Sequence, residues 1–212
     1  MSGRLLYVTG TDTGVGKTEV ALALIAALQK KSLRVAAYKP CETGGGDDAD
    51  RLARATGQAL PTIRYRLAVP AAPQVAAAVE GVRLEPRLLM DDIERLRADA
   101  DWLILEGAGG LLVPLAEDRS LSDLLAPLAP QTLIVARPGL GTINHTALTI
   151  EAARRRALPL LGFVFSRPGP PAGPDEPMNA LTIRRMTGVP YLGSLRRNPE
   201  ELSAVLDTLA LH

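Results

Sequence analysis

Residues 10–18 read GTDTGVGKT, a glycine-rich loop that ends in lysine and threonine. The loop lies between the apolar runs LLYV and EVALALIAAL, where a strand is expected to lead into a helix. Glycines let successive backbone N–H groups surround an anion, and the helix N-terminus adds partial positive charge. In such loops the lysine bridges the β- and γ-phosphates and the hydroxyl binds Mg²⁺. The pattern predicts that Lys17 and Thr18 contact a nucleoside triphosphate and its metal ion.

The spacing of this loop departs from the common phosphate-binding pattern. That pattern places four residues between the first glycine and the Gly-Lys-Thr end. Here five residues separate Gly10 from Gly16, and Thr11 occupies the usual first-glycine position. Because Gly14, Gly16, Lys17 and Thr18 keep their mutual spacing, the anion site is still expected to form.

Carboxylates that can complete a magnesium site are expected at strand ends on the same edge of the sheet. Glu106 ends the run WLILE and precedes Gly-Ala-Gly-Gly, so it is the strongest candidate. Residues 46–50, GDDAD, offer a second carboxylate, although Asp47 or Asp48 is also suited to cap a helix. The sequence leaves open which of Asp47, Asp48 and Asp50 faces the metal.

Lys39 ends the run AAYK just before Pro40. One interpretation is a solvent-exposed lysine at a strand end. The alternative is a second ammonium beside the γ-phosphate, where phosphoryl transfer needs charge neutralisation. Thr13 and Thr43 are polar residues on glycine-flanked loops near the same edge, and each alone is typical of a turn.

The sequence offers no convincing nucleophile–base pair. The only histidines are His145, in a predicted helix, and His212, and the only cysteine is Cys41. Acyl-enzyme and zinc chemistry are therefore not expected. The inventory favours phosphoryl transfer that depends on positioning, Mg²⁺ and two lysines.

Short continuous apolar runs alternate with helix-like segments along the whole chain. Such an order predicts an α/β fold of the P-loop NTPase type, a doubly wound, mostly parallel sheet with helices on both faces. No repeat or boundary divides the chain, so residues 1–212 are expected to form a single domain. The predicted strands are 4–10, 33–40, 102–107, 131–136, 160–165 and 190–195, and the predicted helices are 17–31, 48–57, 85–101, 142–157 and 178–188.

Composition narrows the setting in which the protein works. The formal net charge is +1, with 47% hydrophobic and 22% charged residues, so neither nucleic acid nor an anionic membrane is an expected partner. A single cysteine indicates a reducing compartment. No apolar run approaches the roughly 20 residues that span a bilayer, and no signal peptide is recognisable. A cytoplasmic protein is expected.

Residues 166–177, SRPGPPAGPDEP, contain five prolines and two glycines, which disfavour regular structure. One interpretation is an exposed connection. The other is a flexible wall beside a ligand, because the segment follows a predicted strand whose carboxyl end faces the ligand edge of an open α/β sheet.

Several of these segments together resemble the dethiobiotin synthetase family, whose members close the ureido ring in biotin synthesis. The resemblance covers nearly the whole chain, and the lengthened GTDTxVGKT loop is a trait of the family. It implies that CO₂ adds to an amine of 7,8-diaminopelargonic acid, and that the carbamate then attacks the γ-phosphate of ATP. The second amine displaces phosphate as the ring closes. The matching segments are GTDTGVGKT at 10–18, YKPCETG at 38–44, DDADRL at 47–52, EGAGG at 106–110 and GLGTINH at 139–145.

The resemblance also implies a role for individual residues. Lys17, Lys39 and Thr13 would be catalytic, with Lys39 contacting both the γ-phosphate and the carbamate. Mg²⁺ would be bound by Thr18, Asp48 and Glu106; Asp48 is preferred because of the following alanine and the spacing to Leu52. The nucleotide would contact Gly14, Val15, Gly16, Lys17, Thr18, Glu19, Glu106, Gly107, Ala108, Gly109, Ser166, Arg167, Leu195, Arg196 and Arg197.

Family members are homodimers, and the carboxylate tail of the substrate reaches a helix start on the partner subunit. The resemblance implies that this helix start supplies backbone N–H groups to the carboxylate. Thr13 and Thr43 would orient the diamine end. The residues implied for the helix start are Gly141, Thr142, Ile143 and Asn144.

Two positions depart from the family pattern. Ser166-Arg167 stands where several relatives have Asn-Asp to recognise adenine, and a serine hydroxyl lacks the paired donor and acceptor of an amide. Pro177 replaces a tyrosine that assists the carboxylate tail in some relatives. The first change predicts either looser base selectivity or recognition of the base by the backbone near residues 195–197. The second change predicts weaker substrate binding.

Two other functions share this fold. A partitioning-type ATPase uses ATP to control dimerisation, but such proteins commonly carry a lysine early in the phosphate loop, where this chain has Thr11, Asp12 and Thr13. A corrin amidoligase activates a carboxylate instead, but usually carries a fused glutaminase domain, for which 212 residues leave no room.

Overall fold

The fold was analysed in a computed structural model that describes residues 3–59, 61–166, 175–196 and 202–209. Its main feature is a sheet of six parallel strands. In chain order the elements are β1 (Arg4–Gly10), α1 (Lys17–Lys30), β2 (Val35–Tyr38), β3 (Cys41–Thr43), α2 (Asp48–Thr56), β4 (Tyr65–Leu67), α3 (Pro73–Glu80), α4 (Pro86–Asp99), β5 (Trp102–Gly110), β6 (Pro114–Ala116), β7 (Arg119–Ser120), α5 (Leu121–Leu125), a 3₁₀ turn (Ala126–Leu128), β8 (Gln131–Ala136), α6 (Thr142–Arg155), β9 (Leu160–Ser166), α7 (Asp175–Thr187), β10 (Tyr191–Leu195) and α8 (Ser203–Thr208).

Side chains of β1 alternate between two hydrophobic cores on opposite faces of the sheet. Leu5 and Tyr7 pack in a core shared with α4, and Leu6 and Val8 pack in a core shared with α1. Because both faces are covered by helices, the strands can be apolar throughout. The predicted doubly wound α/β fold is confirmed.

The strand order, β10-β9-β8-β1-β5-β2, places β1 in the interior of the sheet. The chain first builds the side containing β5 and β2, and then crosses to build the side containing β8, β9 and β10. Ligands of open α/β sheets bind outside the carboxyl ends of the strands near such a change of direction. The register pairs Val8 with Glu106 and Tyr38 with Leu105. The loop after β1, Lys39 and Glu106 therefore meet at one edge.

The predicted elements of the main sheet and its helices are present, with shifted ends. The strand predicted at 33–40 is shorter, and the strand predicted at 102–107 continues to Gly110. The helix predicted from 178 begins at Asp175, so Pro177 lies in its first turn, where a missing N–H is tolerated. The prediction of irregular structure for 166–177 was therefore wrong at Ser166, which ends β9, and at 175–177. Residues 167–174 lie outside the described residues.

The sequence interpretation missed several short elements, namely α3, α5, α8 and the strand pairs β3–β4 and β6–β7. Most of these strands are two or three residues long, too short to show a hydrophobic period. Within the described residues, no helix combines the length and apolar character needed to cross a membrane.

Candidate active site

A pocket of about 770 Å³ lies at the carboxyl ends of β1, β2 and β5. The loop after β1, the strand β3, the start of α2 and the end of β5 form its walls. Twelve residues selected from the sequence line it: Thr13, Gly14, Gly16, Lys17, Thr18, Glu19, Lys39, Thr43, Asp48, Glu106, Ala108 and Gly109.

The glycine-rich loop depends on backbone conformations that favour glycine. Gly14 and Gly16 have φ angles of 71° and 91°, both in the left-handed region. A Cβ on Gly16 would also come within 2.2 Å of the Ser166 Oγ. Gly16 is thus required by both its backbone and its neighbour. α1 begins at Lys17 immediately afterwards, so the unpaired N–H groups of its first turn lie beside the pocket.

Lys17 is a buried cation without a carboxylate partner among the described residues. Its side chain is almost fully buried, and its Nζ donates a hydrogen bond to the backbone carbonyl of Asp12 at 3.0 Å. Burial lowers the pKa of Lys17 to about 8, although Glu106 acts in the opposite direction. This ammonium is desolvated and available to an anion.

Lys39 is equally buried but has two carboxylate partners. Its Nζ donates to Asp48 Oδ2 at 2.5 Å and to Glu106 Oε1 at 2.8 Å. Burial opposes the charge, yet Glu106 and Asp48 together raise the pKa of Lys39 above its ordinary value. Lys39 is therefore held protonated, and the interpretation of a solvent-exposed lysine is wrong.

Glu106 contacts both the phosphate loop and Lys39. Its Oε1 accepts hydrogen bonds from Thr18 Oγ1 at 2.8 Å and from Lys39. Its Oε2 is buried and has no hydrogen-bond partner among the described residues, and burial raises the pKa of the carboxyl group. Buried polar atoms are normally satisfied, so this oxygen points to a missing cation or donor.

Asp48 is the aspartate of the 47–50 cluster that reaches the pocket. Asp47 lies 3.9 Å from Arg54 in an exposed ion pair, and Asp50 pairs with Arg66. The side chain of Asp47 does not cap α2. Of the three aspartates that the sequence left open, Asp48 is therefore the one that lines the pocket.

The residues that converge here fit a magnesium ion that also has phosphate ligands. Thr18, Asp48 and Glu106 supply oxygen atoms around Lys39. Among the described residues, no group of three or more His, Cys, Asp and Glu side chains is arranged to hold a metal ion. Mg²⁺ is commonly bound by one or two carboxylates together with substrate phosphates, so two carboxylates and a hydroxyl suffice.

Comparison with known proteins identifies the family. A protein-family model described as an AAA domain matches residues 4–203. An ATP-dependent dethiobiotin synthetase from Anaeromyxobacter dehalogenans is 43% identical over 96% of this chain and 97% of the relative. Another from Anoxybacillus flavithermus is 36% identical over 89% of this chain and 90% of the relative.

The chain belongs to the ATP-dependent dethiobiotin synthetase family.

Solved structures share the fold of this dethiobiotin synthetase family member at low identity. A ParA family ATPase from Chlorobium tepidum superposes with a TM-score of 0.59 at 14% identity, covering 100% of this chain and 93% of that chain. The septum site-determining protein MinD from Pyrococcus horikoshii, complexed with Mg-ADP, gives 0.58 at 20%, covering 97% and 86%. These likenesses establish the fold alone.

Some residues that the dethiobiotin synthetase resemblance implied lie outside the lining of this pocket. Val15 is buried beneath the loop, and a Cβ on Gly107 would come within 3.0 Å of the Tyr7 hydroxyl. Ser166 and Leu195 pair in the β9–β10 ladder. The remaining ones are Arg196, which donates to Glu176 at 3.4 Å, and Gly141, Thr142, Ile143 and Asn144 at the start of α6. Arg167 and Arg197 lie outside the described residues.

Thr13 and Thr43 line the pocket from different segments of the chain. Thr13 follows Asp12, whose Oδ1 accepts the backbone N–H of Thr13 at 2.7 Å, and Thr43 ends β3. A Cβ on Gly109 would lie 3.4 Å from Thr13 Oγ1, so the end of β5 passes close to this threonine.

Sequence reasoning missed ten residues of the lining. They share no motif with the phosphate loop, and the segment before α3 was not recognised as part of the site. Glu42 could have been recognised as a site residue, because it lies inside the YKPCETG segment at 38–44. The missed residues are Cys41, Glu42, Gly44, Gly46, Arg51, Pro70, Ala71, Ala72, Pro73 and Val113.

Proposed function

We propose that this protein catalyses the ATP- and Mg²⁺-dependent closure of 7,8-diaminopelargonic acid and CO₂ to dethiobiotin, releasing ADP and phosphate. Relatives bearing the dethiobiotin synthetase name match nearly its full length, which supports this activity over the partitioning ATPase and the amidoligase. The observation that carries the proposal is that one pocket contains two buried lysines with different partners. Lys39 is hydrogen-bonded to two carboxylates, and Lys17 is hydrogen-bonded to a backbone carbonyl.

The reaction must bring two anions together. An amine of the diamine adds CO₂ and loses a proton to form a carbamate, and the carbamate oxygen attacks the γ-phosphorus of ATP. The bond to the β–γ bridging oxygen breaks, and ADP leaves. The second amine then attacks the carbonyl carbon and expels phosphate as the ring closes. Positive charge fixed before the reactants meet is the main contribution a protein can make to such a transfer.

Lys17 is assigned to the β- and γ-phosphates. Its ammonium is buried, bonded only to a backbone carbonyl within the described residues, and lies in the loop that begins α1. Phosphate oxygens restore the solvation that burial removed, so the interaction strengthens in a closed site. Gly14, Gly16 and the first N–H groups of α1 support the same phosphates.

Lys39 is assigned to the γ-phosphate and the carbamate. Asp48 and Glu106 keep it protonated and fix its Nζ at the pocket wall. A fixed ammonium neutralises charge as the carbamate approaches without reorganising during the reaction. Thr13 and Thr43 are assigned to the diamine because both line the same pocket.

Thr18, Asp48 and Glu106 would hold Mg²⁺. When bound, the ion supplies charge neutralisation to phosphate oxygens. The Oε2 atom of Glu106, which has no hydrogen-bond partner within the described residues, supports this assignment.

We further propose that the protein acts as a homodimer in the cytoplasm. The start of α6, Gly141 to Asn144, lies outside the pocket lining of its own chain, as expected if it serves a partner subunit. The chain has a single cysteine, a free and buried thiol, so it carries no intrachain disulfide, as is usual in a reducing compartment.

The direct test is release of inorganic phosphate from ATP with Mg²⁺ and bicarbonate, measured with and without the diamine. The proposal expects release that depends on diaminopelargonate and a product with the mass of dethiobiotin. Release that is indifferent to the diamine, or no release, would exclude this function.

A further inference from the structure

Glu42 is a buried carboxylate on β3 that none of the assigned roles uses. Its Oε1 accepts the backbone N–H of Asp48 at 2.8 Å, and its Oε2 lies 3.2 Å from Arg66 NH1. The side chain is only 4% exposed although it borders the pocket. Both oxygens of a desolvated carboxylate are thus occupied by specific partners.

The contact with Asp48 replaces the missing cap of α2. Asp47 stands at the N-cap position but its side chain makes no capping hydrogen bond. Glu42, which lies on β3, accepts the backbone N–H of Asp48 in the first turn of α2. Its negative charge therefore lies at the positive end of this helix. A Cβ on Gly46 would approach Glu42 Oε1 to 3.1 Å, so glycine at 46 leaves room for this carboxylate.

Arg66 holds Glu42 from the neighbouring strand. Residues 42 and 66 are directly paired in the β3–β4 ladder. Arg66 also pairs with Asp50 in the first turn of α2. The guanidinium therefore connects the strand that carries Glu42 to the helix that Glu42 caps.

Asp48 needs such an anchor because its own side chain is 35% exposed. Its carboxylate is oriented by Lys39 on one side, and its backbone is fixed by Glu42 on the other. We propose that Glu42 is a positioning residue, which sets the first turn of α2 so that the carboxylate of Asp48 meets Lys39 and the metal. This inference rests on the proposed function, because the metal-binding role of Asp48 is part of that proposal.

The test measures binding of Mn²⁺, as a spectroscopic substitute for Mg²⁺, to the protein with ADP by electron paramagnetic resonance. Glu42→Ala is expected to weaken Mn²⁺ binding about 10–100-fold, as for residues that orient metal ligands. Glu42→Gln keeps an oxygen acceptor for the Asp48 N–H and is expected to stay close to the unsubstituted protein. If Glu42→Ala binds Mn²⁺ normally, the proposal is wrong.

Glu80→Ala is the matched control. Glu80 Oε1 also accepts a backbone N–H, from Val69, at 2.8 Å, but Glu80 does not line the pocket. Its removal is expected to leave Mn²⁺ affinity unchanged. Equal losses of Mn²⁺ affinity in the two alanine variants would assign Glu42 a merely structural role.

Gly46→Ala provides an independent variant if Glu42→Ala does not fold. The added methyl would come within 3.1 Å of Glu42 Oε1 and displace this oxygen from the Asp48 N–H, so Mn²⁺ binding should weaken in Gly46→Ala. Unchanged Mn²⁺ binding in Gly46→Ala alone would overturn the proposal. Failure of the proposed function is distinguishable, because it appears as absent diamine-dependent phosphate release while Mn²⁺ binding still reports on Glu42.

Discussion

Lys17 and Lys39 lie in one pocket and are buried to nearly the same degree, yet their surroundings differ. Burial lowers the pKa of Lys17 to about 8, because the hydrogen-bond partner of its Nζ is a neutral carbonyl. The pKa of Lys39 is raised despite burial, because Glu106 and Asp48 accept hydrogen bonds from it. One lysine is stabilised by the protein, and the other is left for a ligand.

The sequence assigned Lys17 to the β- and γ-phosphates and Lys39 to the γ-phosphate and the carbamate, and the difference in surroundings gives a physical reason for that division. A desolvated cation without a counter-ion gains most from an arriving triphosphate. A cation already paired with carboxylates gains less from binding and serves better as a fixed charge for the transfer step. Substitutions of the two lysines should therefore fail in different ways.

The largest effect is expected for Lys17→Met. Removing the ammonium that neutralises the transferring phosphate should lower diamine-dependent phosphate release by several orders of magnitude, in the range reported for key charges in phosphoryl transfer. Circular dichroism should remain native because the methionine fits an apolar environment. Retained turnover would mean that the phosphates bind elsewhere.

For Lys39→Met the expected loss of turnover is about 10²–10³-fold, the scale for removing one preorganised donor at the reacting centre. The measurement is kcat at saturating ATP and diamine. Lys39→Arg keeps the charge but not its shape, so partial activity in that variant would separate charge from geometry. A kcat for Lys39→Met equal to that of the unsubstituted protein would contradict the assigned role.

The two methionine variants should also change stability in opposite directions. Lys39→Met leaves Glu106 buried without its cation and should lower the free energy of unfolding by about 3–5 kcal/mol. Adding Glu106→Gln to that variant should recover part of the loss. Lys17→Met removes an uncompensated charge and should raise the free energy of unfolding by about 1–3 kcal/mol. Urea denaturation without nucleotide measures both, and equal changes of the same sign would refute the comparison.

The last effect concerns the pH dependence of stability. The native pKa of Lys17 is about 8, against an ordinary value of 10.5, so the unfolded state binds more protons between these values. The penalty is fully present below pH 8, and stability attributable to Lys17 should rise as the pH increases toward about 10.5. The total is on the order of 3 kcal/mol. The difference in stability between the unsubstituted protein and Lys17→Met should shrink over this window, and a constant difference would show that the pKa is not lowered.

Long, periodic or motif-bearing segments were predictable from sequence. The β1 strand, the phosphate loop and α1 agree with expectation because glycines, a strand and a following helix occur in one continuous stretch. Glu106 and Lys39 were found as strand-end residues, since parallel strands bring such ends to one edge. Their mutual hydrogen bond was not predictable, because it depends on β2 lying beside β5, which only the sheet order determines.

The parts that sequence missed depend on contacts between distant segments. Glu42 caps α2 from β3 and is held by Arg66 of β4, and neither strand is long enough to show a pattern. The start of α7 was missed because Pro177 was taken as a breaker, whereas the first turn of a helix tolerates proline. The pocket wall formed by 70–73 precedes α3, which was itself missed.

The most direct measurement is the affinity of Mg-ADP for Lys17→Met and Lys39→Met, determined side by side by isothermal titration calorimetry. ADP binds without any carbamate, so its affinity does not depend on contacts to that group. We expect Lys17→Met to lose most of the affinity and Lys39→Met to keep most of it. Equal losses in the two variants, or the reverse order, would contradict the assignment of Lys17 as the cation left open for phosphate.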